Sequence, residues 1–232
     1  MLPDDALFDF IFWPLATIAL YAASRLINKR WPRWWTGPLI LTPLAVITLV
    51  CALKADYRDY MSGTHWLLVM LGPATVAFAI PIYEQRAVIK RHWPVLLVGV
   101  VAGSTIAMAA AWGMAQALGV PETVGRSLMP RSTTTPFAMA VSGEIGGLPD
   151  LTALFVMMTG ISGGLIGDAM LKWLPLRSAM ARGALFGMGA HSIGVAKANQ
   201  LGREEGSIAG LVMILAGLLN LLAAPVIMLA LS

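Results

Sequence analysis

The amino-acid sequence predicts an all-α, polytopic membrane protein, and composition, run length and charge placement carry that prediction. Of the 232 residues, 58% are hydrophobic and only 12% are charged, with a mean hydropathy of +0.75. A water-soluble chain is nearer roughly 45–50% apolar and about 25% charged. So few charges cannot cover a water-facing surface, and lipid must solvate most of the molecule. The apolar residues also gather in runs of bilayer-spanning length, which for a helix is about 20 residues.

Runs at 6–24, 65–83, 93–119, 148–171 and 206–231 each read as a span. A shorter run, 38–53, follows Trp31, Trp34 and Trp35, aromatics of the kind that collect at the headgroups. This predicts six full spans. The stretches 122–147 and 182–203 are apolar but interrupted by proline, glycine and polar residues, and are expected to be broken or re-entrant, with up to eight crossings in all. No polar stretch is long enough for a soluble domain. The chain is read as one membrane domain, 1–232, in which 1–119 is the less specific part and 120–232 carries the distinctive motifs.

The formal charge is +4, but the basic residues lie in short loops rather than in a patch, so no nucleic-acid partner is expected. Arg25, Lys29, Arg30 and Arg33 occupy one loop, Arg86, Lys90 and Arg91 a second, and Lys172, Arg177 and Arg182 a third. The positive-inside rule places these three in the cytoplasm and both termini outside. That assignment holds if each interrupted stretch returns to the side it entered. Crossing as broken helices is the alternative, and the charge pattern favours return. The first interrupted stretch would then dip in from outside and the second from the cytoplasm, as at a secondary transporter's substrate site. The acidic start, Met1-Leu2-Pro3-Asp4-Asp5, does not read as a cleavable leader. The single Cys51 forms no disulfide framework and is expected to be a small buried hydrophobe.

The first interrupted stretch contains Arg126-Ser127-Leu128-Met129-Pro130-Arg131-Ser132-Thr133-Thr134-Thr135-Pro136. Proline removes a backbone donor and disfavours helix in the preceding residue, so Arg131 to Thr135 should be extended or unwound. Pro136 can then open a helix, with Thr135 as its N-cap. Hydroxyls and a guanidinium at a helix start inside the membrane suit an anion, and arginine matches a carboxylate with a two-pronged fork. Arg131, Ser132, Thr133, Thr134 and Thr135 are therefore the candidate binding residues, set against the plainer reading of an exposed loop with Arg131 at the headgroups.

The second stretch, from Arg182 to Asn199, holds Gly183, Gly187, Gly189 and Gly194, which permit close packing or a break. His191 is an ionisable residue in an apolar setting, and with Ser192 it is a candidate to bind substrate or relay a proton. A structural histidine bonded to a nearby carbonyl is the bland alternative. Glu144, Lys197 and Asn199 are candidates for ion pairing or coupling, although Lys197 could simply snorkel. Glu204 and Glu205 suit the first turn of the last helix, and Asn220 reads as inter-helical glue.

No enzyme activity is expected. Gly160-Ile161-Ser162-Gly163 matches the short motif of intramembrane serine proteases, but such motifs arise easily in glycine-rich helices, and no spanning helix separates Ser162 from His191. No metal cluster or nucleotide-binding loop is evident. No cofactor is expected beyond a coupling proton or sodium ion, and transport would be secondary.

The segment Pro130-Arg131-Ser132-Thr133-Thr134-Thr135-Pro136-Phe137-Ala138-Met139 resembles the signature of the LrgB/CidB family. The runs from Gly189 to Ala198 and from Glu205 to Leu211 are similar to further motifs of that family, in the same order. The likeness covers about 120–232, and Val195 stands where the family often has threonine, so no hydroxyl role is carried there. The resemblance implies two readings. One is a bacterial cytoplasmic (inner) membrane carrier of small carboxylates such as glycolate, glycerate or pyruvate, like the related plastidic glycolate/glycerate translocator. The other is an antiholin-like regulator of murein hydrolase export and autolysis. Either implies a small LrgA/CidA-type membrane partner, and a homo-oligomer is expected. The polar niche favours the carrier.

Overall fold

The computed structural model describes residues 4–31, 33–77 and 79–231, and every regular element among them is helical. The start of the acidic terminus, Met1-Leu2-Pro3, and Phe78 within the run 65–83 lie outside the described residues. Among those described, Phe8–Arg30, Arg86–Ala117, Pro149–Trp173 and Arg203–Leu231 are long and apolar enough to cross a membrane. Large apolar side chains such as Ile106, Trp173, Leu222 and Leu229 are exposed along the molecule, as a lipid-solvated surface requires.

The chain divides into two compact units, the first ending at Ala74 and the second beginning at Thr75. In the first, α1 (Asp4–Arg30) ends on Lys29 and Arg30, cations that suit the negative end of its dipole. Helix α2 (Pro38–Leu53) opens with proline at its first position, where the missing N–H costs nothing, and closes at Lys54 in left-handed geometry (φ 53). It is shorter than the long spans, as expected, but Cys51 is exposed on it rather than buried. Helix α3 (Tyr57–Val69) packs on α1, where Trp13 meets the edge of Tyr60 at 5.6 Å.

The run 65–83 does not form one span. Helix α3 ends at Val69, α4 (Leu71–Ala77) follows after Met70, and α5 (Ala79–Glu84) is described beyond Phe78. Proline accounts for the break at Met70: Pro73 is the third residue of α4, where no intrahelical donor is lost. Hydropathy alone does not register that.

In the second unit, α6 (Arg86–Ala117) carries Pro94 and departs from helical geometry at His92 (φ −121, ψ 17). Next come α7 (Glu122–Leu128), a 3-10 turn (Met129–Ser132), and α8 (Thr135–Glu144), then α9 (Pro149–Trp173), α10 (Ala179–Leu201) and α11 (Arg203–Leu231).

Both interrupted stretches are hairpins. In the first, Arg126 Nη1 donates to the Ile145 carbonyl at 3.0 Å, and Leu148 N donates to Ser127 Oγ at 2.7 Å. Thr152 on α9 closes the same end by donating to Ser142 Oγ at 2.7 Å. The chain thus enters at α7, turns at 129–134 and leaves along α8 beside its entry. Arg126 also reaches the Leu231 carbonyl at 3.2 Å, which puts the end of α11 at this mouth.

In the second hairpin, α10 breaks at His191 (φ 45, ψ −124), and 192–201 folds back on 179–190. A Cβ at Gly194 would stand 2.6 Å from the Phe186 carbonyl carbon. In a straight helix those residues would lie about 12 Å apart at 1.5 Å per residue. Only glycine admits this approach. Helix α11 confirms the fold-back, because one short part of it meets both arms. Glu205 binds Arg182 on the first arm, and Gly206 packs on Asn199 of the second. A Cβ at Gly187 would stand 2.9 Å from the Ala209 Cα, so α10 and α11 touch backbone to backbone.

The mouths of the two hairpins lie at opposite ends of α11, one at Leu231 and the other at Glu205. Each interrupted stretch therefore leaves at the same end of α11 at which it entered.

Candidate functional site

The two hairpins start from opposite ends of α11, and contacts with α9 and α11 place their tips near the middles of those helices. Arg131 on the first tip reaches towards Thr159 Oγ1 at 3.5 Å, the far limit of a hydrogen bond. On the second tip, Ile193 and the Ala190 carbonyl face the next residue of α9, Gly160. Along α11, Phe137 packs on Gly217, and Asn220 Nδ2 donates to Thr133 Oγ1 at 2.7 Å. Ser192 meets Met213 nearby, its hydroxyl 3.8 Å from the sulfur. These positions fall near the middles of the 25-residue α9 and the 29-residue α11. The tips touch: the turn at 129–132 contacts α10, and the His191 imidazole faces the Arg131 backbone within electrostatic reach of its guanidinium.

The local chemistry follows from the prolines and the break. Thr133 (φ −108, ψ 155) and Thr134 (φ −64, ψ 145) are extended, while Met129–Ser132 forms a single 3-10 turn. Unwinding is thus confined to two residues, fewer than the span from Arg131 to Thr135 suggested. The N-cap of α8 is Thr134 rather than Thr135, and its side chain makes no capping hydrogen bond. His191 holds a positive φ outside the regions that non-glycine residues favour, a strain of order 1–3 kcal/mol of the kind found at functional sites.

Several polar groups at this junction have no protein partner. Ser132 Oγ and His191 Nε2 are buried with no hydrogen bond, and Arg131 has no ion pair among the described residues. Thr133 is buried and already accepts a hydrogen bond from Asn220, which leaves its own proton free to point elsewhere. The junction therefore carries a cation and several hydroxyl donors but no carboxylate partner for the cation.

The remaining candidates are not among these unpartnered buried groups. Thr135 is half-buried in the first turn of α8, and Ser192 is exposed beside α11. Glu144 is exposed near the first mouth, while Arg126 pairs with Glu122. Lys197 pairs with Asp168 on α9, and Asn199 Nδ2 donates to the Val195 carbonyl at 2.9 Å. Glu205 does more than cap α11, since it is buried and accepts from Arg182 Nε at 3.1 Å across the second mouth. Asn220 is the inter-helical glue expected of it, and what it holds is the tip. Sequence reasoning passed over Thr159 and Ser104. Ser104 is buried with an unpartnered hydroxyl, next to Gly103, which faces Met188. A polar residue in mid-span was the available signal for both.

The matching family model is that of the LrgB-like family, over residues 17–230. The chain belongs to the LrgB-like family. The match extends well beyond the second half, where the motifs sit, into spans that carry no recognisable motif. Among curated relatives, YwbG of Bacillus subtilis (strain 168) is 39% identical over 209 residues, covering 90% of this chain and 93% of its own. YxaC of the same organism is 33% identical over 213 residues, 92% and 93% of the two chains. The holin-like protein CidB of Staphylococcus epidermidis is 29% identical over 215 residues, 93% and 94% respectively. No solved structure matches the chain. With four bilayer-length apolar helices among the described residues, this LrgB-like protein is a membrane protein.

Proposed function

We propose that this LrgB-like protein is a secondary carrier, or the transport subunit of one, for small carboxylates such as glycolate, glycerate or pyruvate. The observation that carries this reading is the unpaired Arg131 guanidinium where the two tips meet, beside the unpartnered Ser132 Oγ and His191 Nε2. A bare arginine at mid-membrane costs about 2.5–3.5 kcal/mol on insertion scales, and a bound anion offsets that cost. A carboxylate meets the guanidinium fork, while the hydroxyls and imidazole address its remaining oxygens. Half-helices broken at the midplane and entering from opposite faces are the layout in which alternating access works by rocking around a fixed site.

The basic-loop pattern supports a bacterial cytoplasmic membrane with both termini outside, so that the α10 mouth faces the cytoplasm. A small LrgA/CidA-type partner and self-association belong to the same proposal. The test is uptake into proteoliposomes. Labelled glycolate, glycerate or pyruvate should accumulate, and Arg131→Ala or His191→Ala should abolish it; uptake indifferent to both changes sinks the site.

The printed name of the CidB relatives, holin-like, favours a second reading, a role in lysis through membrane permeability and control of murein hydrolase export. In that case vesicles should release an uncharged dye as readily as a carboxylate, and gene deletion should change autolysis with carboxylate flux unaltered.

A further inference from the structure

A second cationic site lies away from the hairpin tips, at the end of the second unit where α6 and α11 begin. There a cavity of about 560 Å³ opens beside the bend of α6. Its polar wall includes Arg91, His92, Gln85, Arg203 and Ser207, and its apolar wall includes Val88 and Ile208. The sequence explains the opening. Pro94 cannot donate to the turn before it, and the chain departs from helix at His92, which turns 86–92 away from the axis of the rest of α6. Gln85 Nε2 bonds to Ser207 Oγ and fixes the rim to α11. Among the described residues neither the Arg91 nor the Arg203 guanidinium has an ion pair or a hydrogen bond. Glu204 also lines the space, so the formal balance of the lining is one positive charge before any contribution from His92.

Depth identifies the occupant. Helix α6 has 32 residues and so is about 48 Å long, against a hydrocarbon core of about 30 Å. Its apolar part begins after Trp93, which is 59% exposed and of the type that marks the headgroup level. Arg91 and His92 immediately precede it, and Arg203 opens α11 at the same end. Two free guanidiniums at headgroup height, with an apolar wall running into the membrane, match a phosphate head and the start of its acyl chains.

We propose that this cavity binds the phosphate headgroup of an anionic phospholipid. The site shares no residue with the tips and does not depend on carboxylate transport.

The test is native mass spectrometry of the full chain released from vesicles of equal phosphatidylglycerol and phosphatidylcholine. Wild type should retain phosphatidylglycerol preferentially. Arg91→Gln and Arg203→Gln should each lower that preference about fivefold, and together about 30-fold. Arg86→Gln is the control, because that guanidinium already stacks on Tyr83 at 4.3 Å, and its preference should be unchanged. Equal retention of both lipids by wild type, or undiminished preference in the two single variants, overturns the proposal. Displacement of the lipid by inorganic phosphate at similar concentration also overturns it, in favour of a free-anion site. The wild-type comparison stands even if the double variant does not fold.

Discussion

Gly194→Ala separates a hairpin from a straight helix at α10. The added Cβ would stand 2.6 Å from the Phe186 carbonyl carbon, whereas ordinary van der Waals contact begins at 3.4 Å. The arms must part by at least about 0.8 Å, and the obstacle is backbone rather than a side chain that can swing away. Overpacking of this kind costs about 1–3 kcal/mol, and a rigid obstacle puts it near the upper figure. Alanine recovers up to about 1 kcal/mol through its better helix propensity, leaving about 2 kcal/mol of net destabilisation. At about 2–4 °C per kcal/mol for a chain of this size, thermal unfolding in detergent should fall by about 4–8 °C. Gly189→Ala in the same segment is the control, since nothing lies within 4 Å of its Cβ position, and it should be neutral or slightly stabilising. If α10 were straight, the two substitutions would behave alike. A Gly194→Ala protein as stable as wild type refutes the hairpin.

Other outcomes follow from the same contacts. Asn220→Leu removes the bond to Thr133 across the first tip and should cost about 0.6–1.7 kcal/mol, read as a lower unfolding temperature. His191→Gly should unfold at a higher temperature than His191→Ala, because glycine tolerates the positive φ and alanine does not; the reverse order would mean the backbone is unstrained there. Arg182→Glu should destabilise the second mouth, and adding Glu205→Arg should restore part of the loss, whereas no recovery would place the interaction elsewhere.

Much of this architecture is written in hydropathy and punctuation. Apolar length located α1, α2, α6, α9 and α11 because bilayer thickness sets helix length directly. The loop charges and the prolines around Arg131 to Thr135 pointed to the hairpins, and the unpaired arginine and buried histidine were visible as polar residues in apolar runs. What the sequence hid depends on distance across the fold. The break at Met70 within 65–83 turned on where Pro73 sits in α4. Glycine spacing in α10 allowed a break without locating it, and the break fell on His191 instead. Lys197 and Asp168 are 29 residues apart and Arg182 and Glu205 are 23 apart, so their pairing required the fold-back. Thr159 carried no motif beyond being a hydroxyl in mid-span, and Arg131 pointing at it is what gives it weight.

Equilibrium binding to the purified protein asks most directly whether the meeting of the tips is a carboxylate site. Radiolabelled glycolate, glycerate and pyruvate would be titrated against wild type, Arg131→Ala and, as a control, Ser162→Ala, whose native hydroxyl bonds only to carbonyls of its own helix. The predicted result is saturable binding of at least one of them to wild type and to Ser162→Ala, with loss in Arg131→Ala. Equal binding by all three proteins, or by none, would contradict it.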